Sequence, residues 1–251
     1  MENDLLRVRR TIAQTSVLIE TDLKEAVEAA LKAVYLHRLR LENYISRNPM
    51  FLLSLEPVEV LDEAPEVVKR MASAAHAANV GPMAAVAGAL ADLMVEAMAS
   101  TRAEVMVVEN GGEVSALSRR PVNVRVYAGS TASLSGRVGF RLQPWDMPVG
   151  VGTSSATLGR GLSFGEADSA TVFAVNAAVA DAAATSVCNA VMGSDVEESI
   201  QRGLRTARTI PGVHGALIAR GGFVGSVGKV PELIEVGDAL VKPVSGKTQI
   251  L

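Results

Sequence analysis

The stretch NAAVADAAATSVCNAV, residues 176–191, places a single carboxylate, Asp181, among alanines and valines. A buried carboxylate is costly unless it is paired, neutralised or bound to a metal. Thr185 follows four residues later, so both side chains fall on one face of a helix, about one turn apart. A carboxylate and a hydroxyl on a rigid helix suit a hard cation such as Mg²⁺, which takes carboxylates together with substrate phosphates. The competing reading is structural. Asp181 would cap a neighbouring loop, and Thr185 would bond its own helix backbone.

Two further segments could hold a ligand. ENGGEV (109–114) ends a strand at Asn110, Gly111 and Gly112. Such a turn offers backbone N–H groups and close approach, although Asn-Gly is also a common hairpin turn. In GVGTSSATLGRG (150–161) the hydroxyls of Thr153 and Ser154 and the guanidinium of Arg160 could hold phosphates, with an ordinary loop as the alternative. Other apparent motifs fail on spacing. SGKT (245–248) lacks the earlier P-loop glycine, because Val241 stands in its place. GGFVGSVGKV also lacks that spacing. His37, His76 and His214 show no metal-ligand pairing, and Cys188 has no evident activating base.

The elements that must position these residues are read from periodicity and turn signals. Residues 7–21 read as a strand or hairpin. Residues 22–45 read as an amphipathic helix that buries Val27, Leu31, Val34, Leu39 and Leu41. RNPMFLLSLEPV reads as a loop with an exposed apolar run, MFLLSL (50–55), and helices follow over 64–81 and 81–100. AEVMVVENGGEVSAL is strand, glycine turn, strand. PVNVRVYAG and LSGRVGFRLQP are strands, and 147–161 is a strand entering a loop. Helices are expected over 169–192 and 195–210, then a hairpin turning at residues 220–222. Strands and helices mix without a steady βαβ rhythm, which favours α+β. Ala-x-Ala-Asp occurs twice, in AGALAD (87–92) and AAVAD (177–181), an echo that an internal duplication or chance in Ala-rich sequence would both produce.

The 251 residues are 49% hydrophobic but only 4% aromatic, so small side chains must do the packing. A net charge of −3 without a basic block gives no nucleic-acid footprint and no polybasic membrane patch. One cysteine excludes an internal disulfide. The start resembles no secretory signal, and no uncharged run reaches the roughly 20 residues of a bilayer span. These features point to a cytoplasmic protein.

ENGGEV, GVGTSSATLGRGLSFGEAD and VNAAVADAAATSVCNAV together resemble an uncharacterised branch of the ApbE superfamily, the flavin transferases. The resemblance implies one ApbE-like α+β domain over 1–251, with mixed or antiparallel sheets packed against Ala-rich helices and a site between its two halves. It implies Asn110, Gly111, Gly112, Thr153 and Ser154 around an FAD site and Asp181 and Thr185 as Mg²⁺ ligands; Arg160 is a weaker candidate that rests on its loop's composition alone. FAD or a related nucleotide would be bound with Mg²⁺, and its pyrophosphate would be the point of attack. Flavin transferases also carry a His-x-x-Asp-Pro segment where this chain has GLSFGEADSATV, without histidine or proline. Transfer of FMN to a protein is therefore not expected. The alternative is a non-catalytic flavin carrier, or an accessory protein of sulfur assimilation and homocysteine formation, a setting the branch itself implies. The expected partner is a small nucleotide, with no nucleic acid and no membrane. The 50–55 run and the Ala-rich helices would suit a homo-oligomer interface.

Overall fold

A computed structural model of the chain describes residues 5–126, 138–156, 164–235 and 248–250. Arg160 lies outside them. Twelve strands and six α-helices are described. The strands are β1 (Leu6–Ile12), β2 (Thr15–Thr21), β3 (Val105–Asn110), β4 (Glu113–Ser118), β5 (Val122–Val126), β6 (Val138–Leu142), β7 (Val149–Ser154), β8 (Ser169–Ala174), β9 (Val213–Arg220), β10 (Phe223–Gly228), β11 (Glu232–Glu235) and β12 (Thr248–Ile250). The helices are α1 (Lys24–Arg47), α2 (Pro49–Leu53), α3 (Glu66–Ala78), α4 (Val86–Ala99), α5 (Ala177–Ala190) and α6 (Val196–Thr209).

Eight strands form one antiparallel sheet in the order β1-β2-β3-β4-β7-β8-β9-β10, and four form a second in the order β11-β6-β5-β12. Alternation along each strand assigns its two faces. In β3, Met106 and Val108 meet α1 and α4, while Val105 and Val107 join Val122, Val124, Phe140 and Leu142 of the smaller sheet. Phe140 and Phe173 lock the two sheets edge to face, with ring centroids 4.8 Å apart. The larger sheet is thus covered by helices on one side and by the second sheet on the other.

Chain order within the larger sheet repeats. β1-β2, α1, α4 and β3-β4 match β7-β8, α5, α6 and β9-β10, with α2 and α3 inserted in the first half. The repeat pairs α1 with α5 and α4 with α6. The Ala-x-Ala-Asp echo joins α4 to α5, which are not equivalent in it.

Most elements follow their local signals. α6 starts at Asp195, whose side chain accepts the Glu198 N–H, and α3 stops at Asn79 in a left-handed conformation. Three expectations need correction. Residues 169–174 form strand β8, because Thr171, Val172 and Phe173 suit a pleated, buried surface, and the helix begins only at Ala177. The 49–53 segment closes into the short helix α2 around buried Phe51, while Met50, Leu52, Leu53 and Leu55 stay exposed. Leu39 faces outward from α1. Among the described residues only Pro82–Ala99 has the length and apolarity to cross a bilayer, and most of it is buried inside the fold.

Small residues let α5 lie hard against its neighbours. A Cβ on Gly88 of α4 would sit 2.1 Å from the Ala177 carbonyl oxygen. One on Gly152 of β7 would sit 2.4 Å from the Ala180 oxygen, and Gly150 is as close to Asn176. Only glycine permits such backbone approach.

Two carboxylates are buried on the opposite face of the same sheet. Glu20 meets Arg7 of the edge strand at 3.2 Å. Glu109, 5% exposed, has one carboxylate oxygen without a hydrogen-bond partner. Burial pushes its pKa up to about 7 against the opposing pull of Arg9.

A group whose pKa is raised by folding stabilises the fold below its unfolded value and loses that contribution as pH rises through the folded one. Between pH 4.5 and 8, wild type should lose up to about 3 kcal/mol relative to Glu109→Gln. Urea unfolding at several pH values reads this, and parallel stability profiles would disprove it. Gly152→Ala should destabilise by about 1–3 kcal/mol through forced overpacking against α5. An unchanged thermal midpoint would show that α5 can withdraw at no cost.

Candidate functional site

Asp181 and Thr185 lie on α5, both half-buried. Asp181 Oδ2 accepts the Gly88 N–H at 3.0 Å, in the first turn of α4. Asn110 Nδ2, at the end of β3, donates to the Ala87 carbonyl at 2.9 Å. That carbonyl and the Gly88 N–H belong to one peptide group. Two residues singled out in the sequence for ligand binding therefore hold opposite ends of a single peptide plane.

The reverse contact is made by a residue the sequence reading did not assign to a site. Asp92 of α4 is 6% exposed and accepts the Ala177 and Ala178 N–H groups, each at 2.9 Å, and the Ser115 hydroxyl at 2.7 Å. Burial raises its pKa, and these three donors pull it back down. Each helix thus presents an N-terminal amide to an aspartate one turn inside the other: Gly88 to Asp181, and Ala177 to Asp92. The signal was the Ala-x-Ala-Asp echo, which marks this reciprocal contact.

The N-terminus of α5 offers little to an anion. Asp92 takes its first two amides, and the Asn176 side chain takes the third at 2.9 Å. At Gly111 and Gly112 both φ angles are positive, 64° and 114°, as a two-residue hairpin of the primed type requires. The Gly111 N–H donates to the Ser16 carbonyl at 3.1 Å.

The Thr-Ser pair is split by the pleat. Thr153 is buried on the face toward the second sheet, its hydroxyl 3.1 Å from that of Thr171. Ser154 falls on the α5 face with Gly150 and Gly152. Gly150 abuts residue 176 and Gly152 abuts residue 180, one helical turn for two strand residues. The next such step sets Ser154 level with the turn that carries Thr185. Asn110 and Asp181 thus meet at one peptide of α4, Thr185 lies one turn along α5 from Asp181, Ser154 faces α5 from β7, and the Thr153 side chain lies on the far face of the sheet.

This donor set is oxygen only. Among the described residues no three His, Cys, Asp or Glu side chains cluster as a metal site. A cation here would rest on one carboxylate, hydroxyls, carbonyls and its ligand's phosphates, which suits Mg²⁺ and not a thiolate- or imidazole-seeking metal. A carboxylate has about four lone-pair positions, so an amide contact is compatible with a cation on Asp181. Acidic residues of the segment lacking histidine are committed elsewhere. Glu166 accepts from Arg220 and from the Gly193 N–H at 3.1 Å, and Asp168 accepts the Gly221 N–H at 2.8 Å. Cys188 is buried, while His76 and His214 are exposed.

A family model described as AbpE bacteria matches residues 2–210. The UPF0280 protein of Methanopyrus kandleri is 43% identical over 238 residues, covering 94% of this chain and 96% of that protein. The UPF0280 protein of Methanocaldococcus jannaschii is 44% identical over 229 residues, covering 90% and 92%. Among solved structures, the flavinyl transferase ApbE of Pseudomonas stutzeri superposes with a TM-score of 0.57 at 11% identity, covering 89% of this chain and 94% of that one. The ApbE protein of Thermotoga maritima gives 0.53 at 15%, covering 88% and 96%. At these identities the solved structures establish a common fold. With the family match over most of its length and archaeal relatives aligned almost end to end, this chain belongs to the UPF0280 family of ApbE-like proteins.

Proposed function

We propose that the chain binds FAD or a closely related nucleotide together with Mg²⁺ beside α5. Asp181 and Thr185 would hold the metal, while Asn110, the Gly111–Gly112 turn and Ser154 would shape the nucleotide's seat. The observation that carries this reading is the placement of Asp181, a half-buried carboxylate on a helix held backbone to backbone against its neighbours, with a hydroxyl one turn away. The fold shared with proteins described as flavin transferases supports a flavin over other nucleotides. Mg²⁺ bound there would polarise a pyrophosphate. The chain's own residues would fix the metal and exclude water from one side of it.

A second reading has its own support. Glu166 and Asp168 are tied to Arg220, Gly193 and Gly221, so neither stands ready to move a proton. This favours binding without turnover, as in a flavin carrier or an accessory protein of sulfur assimilation.

Calorimetric titration with FAD, with and without Mg²⁺, tests the first reading. Asp181→Asn retains an oxygen that can accept the Gly88 N–H but removes the charge. It should keep a thermal midpoint near wild type and lose at least tenfold in Mg²⁺-dependent affinity. Equal affinity in variant and wild type would remove Asp181 from the metal. Release of AMP from bound FAD, followed by chromatography, separates a pyrophosphate-cleaving enzyme from a carrier.

A further inference from the structure

The outer face of α1 carries apolar side chains with nothing packed on them. Tyr35, Leu36 and Leu39 are 59%, 45% and 56% exposed, although they sit mid-helix beside the buried face of Val27, Ala30, Val34 and Leu41. Around them the outward positions are Glu28, Lys32, Tyr35, Leu39, Glu42 and Ser46, spaced 4, 3, 4, 3 and 4 residues apart. That alternation is the seam of a helix pair packing through knobs and holes.

Laid antiparallel on its own copy about residue 37, the seam is self-complementary. Tyr35 meets Leu39, Lys32 meets Glu42, and Glu28 meets Ser46, each contact made twice. An apolar centre flanked by opposite charges is what an isologous two-fold contact requires. In a parallel arrangement Lys32 would face Lys32 and Glu42 would face Glu42, so charge selects the antiparallel one. Glu42 also bonds Arg38 of its own helix at 2.6 Å yet stays largely exposed, so it can reach a second partner. The exposed 50–55 run lies elsewhere. Phe51 meets Tyr44 edge to face, and Tyr44 is on the opposite side of α1 from Tyr35.

We propose that this face of α1 docks against the same face of a second copy, forming a two-fold dimer through an antiparallel α1–α1 seam about 27 Å long. The polar ends of the seam set its register, and the apolar centre supplies its attraction. α1 flanks the fold at the β1–β2 end of the larger sheet and packs inward on α4, so the dimer leaves α5 and Asp181 accessible.

Sedimentation velocity of the full chain at tens of micromolar should give twice the 26.2 kDa mass of one chain. Leu39→Glu should return it to monomer with its circular dichroism unchanged. Lys32→Glu and Glu42→Lys should each weaken association at least tenfold, and the double variant should restore it, because the pair is re-formed across the axis. A monomeric wild type overturns the proposal. So does a dimer whose mass is indifferent to Leu39→Glu, or a double variant no better than the singles.

Discussion

The two halves of the larger sheet pair through β4 and β7, and above that joint α4 meets α5 so closely that the backbones touch. Nothing larger than a hydrogen fits on Gly88, because Ala177 occupies the space. Such approach removes the side chains that normally separate helices by 8–10 Å, and it leaves first-turn amides of both helices facing protein instead of water. Those amides must be satisfied, since an unpaired buried N–H forfeits about a hydrogen bond's worth of stability. Asp92 and Asp181 satisfy them reciprocally. The charge that looks out of place in an alanine helix is therefore first of all a consequence of how closely two helices meet.

The two aspartates differ in what else they can do. Asp92 is buried and takes three donors, and desolvation weighs against its charge. Asp181 does comparable capping work from a half-buried position. Solvent, a cation or a phosphate-bearing ligand can approach the second and not the first. α5 is also pressed against β7 through Gly150 and Gly152, so its side chains are positioned by backbone contacts, which hold a ligating group more tightly than loop placement does. A structural cap and a ligand site are compatible duties for one carboxylate when the cap uses one oxygen lone pair.

Much of this was legible in the residues. The Gly-Gly turn, the hairpin at 220–222, the start of α6 at Asp195 and the amphipathic runs all carry local chemistry that acts over a few positions. Asp181 stood out because it broke a pattern. The pairing of Asp181 with Gly88 could not be read, because it spans 93 positions and depends on a crossing that only the packed fold creates. The Ala-x-Ala-Asp echo was visible, but sequence alone could not show that it marks a contact between helices that are not equivalent in the chain's repeat. β8 was missed because Ser169–Ala174 runs into an alanine-rich helix with only Val175 and Asn176 between, so helical composition masked a short β-branched strand. The split of Thr153 from Ser154 follows from the strand's period of two, and that period carries meaning only once β7 is known to be buried on both faces.

The repeat also explains why the two outer surfaces of the helix layer differ from its middle. α5 follows β8 as α1 follows β2, yet α5 lies between α4 and α6, while α1 packs mainly on α4 and more lightly on α3 and α2. Equivalent chain positions thus meet unequal surroundings. Half of the middle helix can be alanine because backbone contacts and glycines on its neighbours bring its packed sides within reach. The outer helix buries Ala26, Val27, Ala30, Ala33, Val34 and Leu41 and carries Lys, Glu and Arg to keep its far face wet. Tyr35, Leu36 and Leu39 depart from that rule, exposed among the charged outward positions of α1. That departure at one spot, with complementary charges placed evenly to either side, is what the proposed two-fold contact would use.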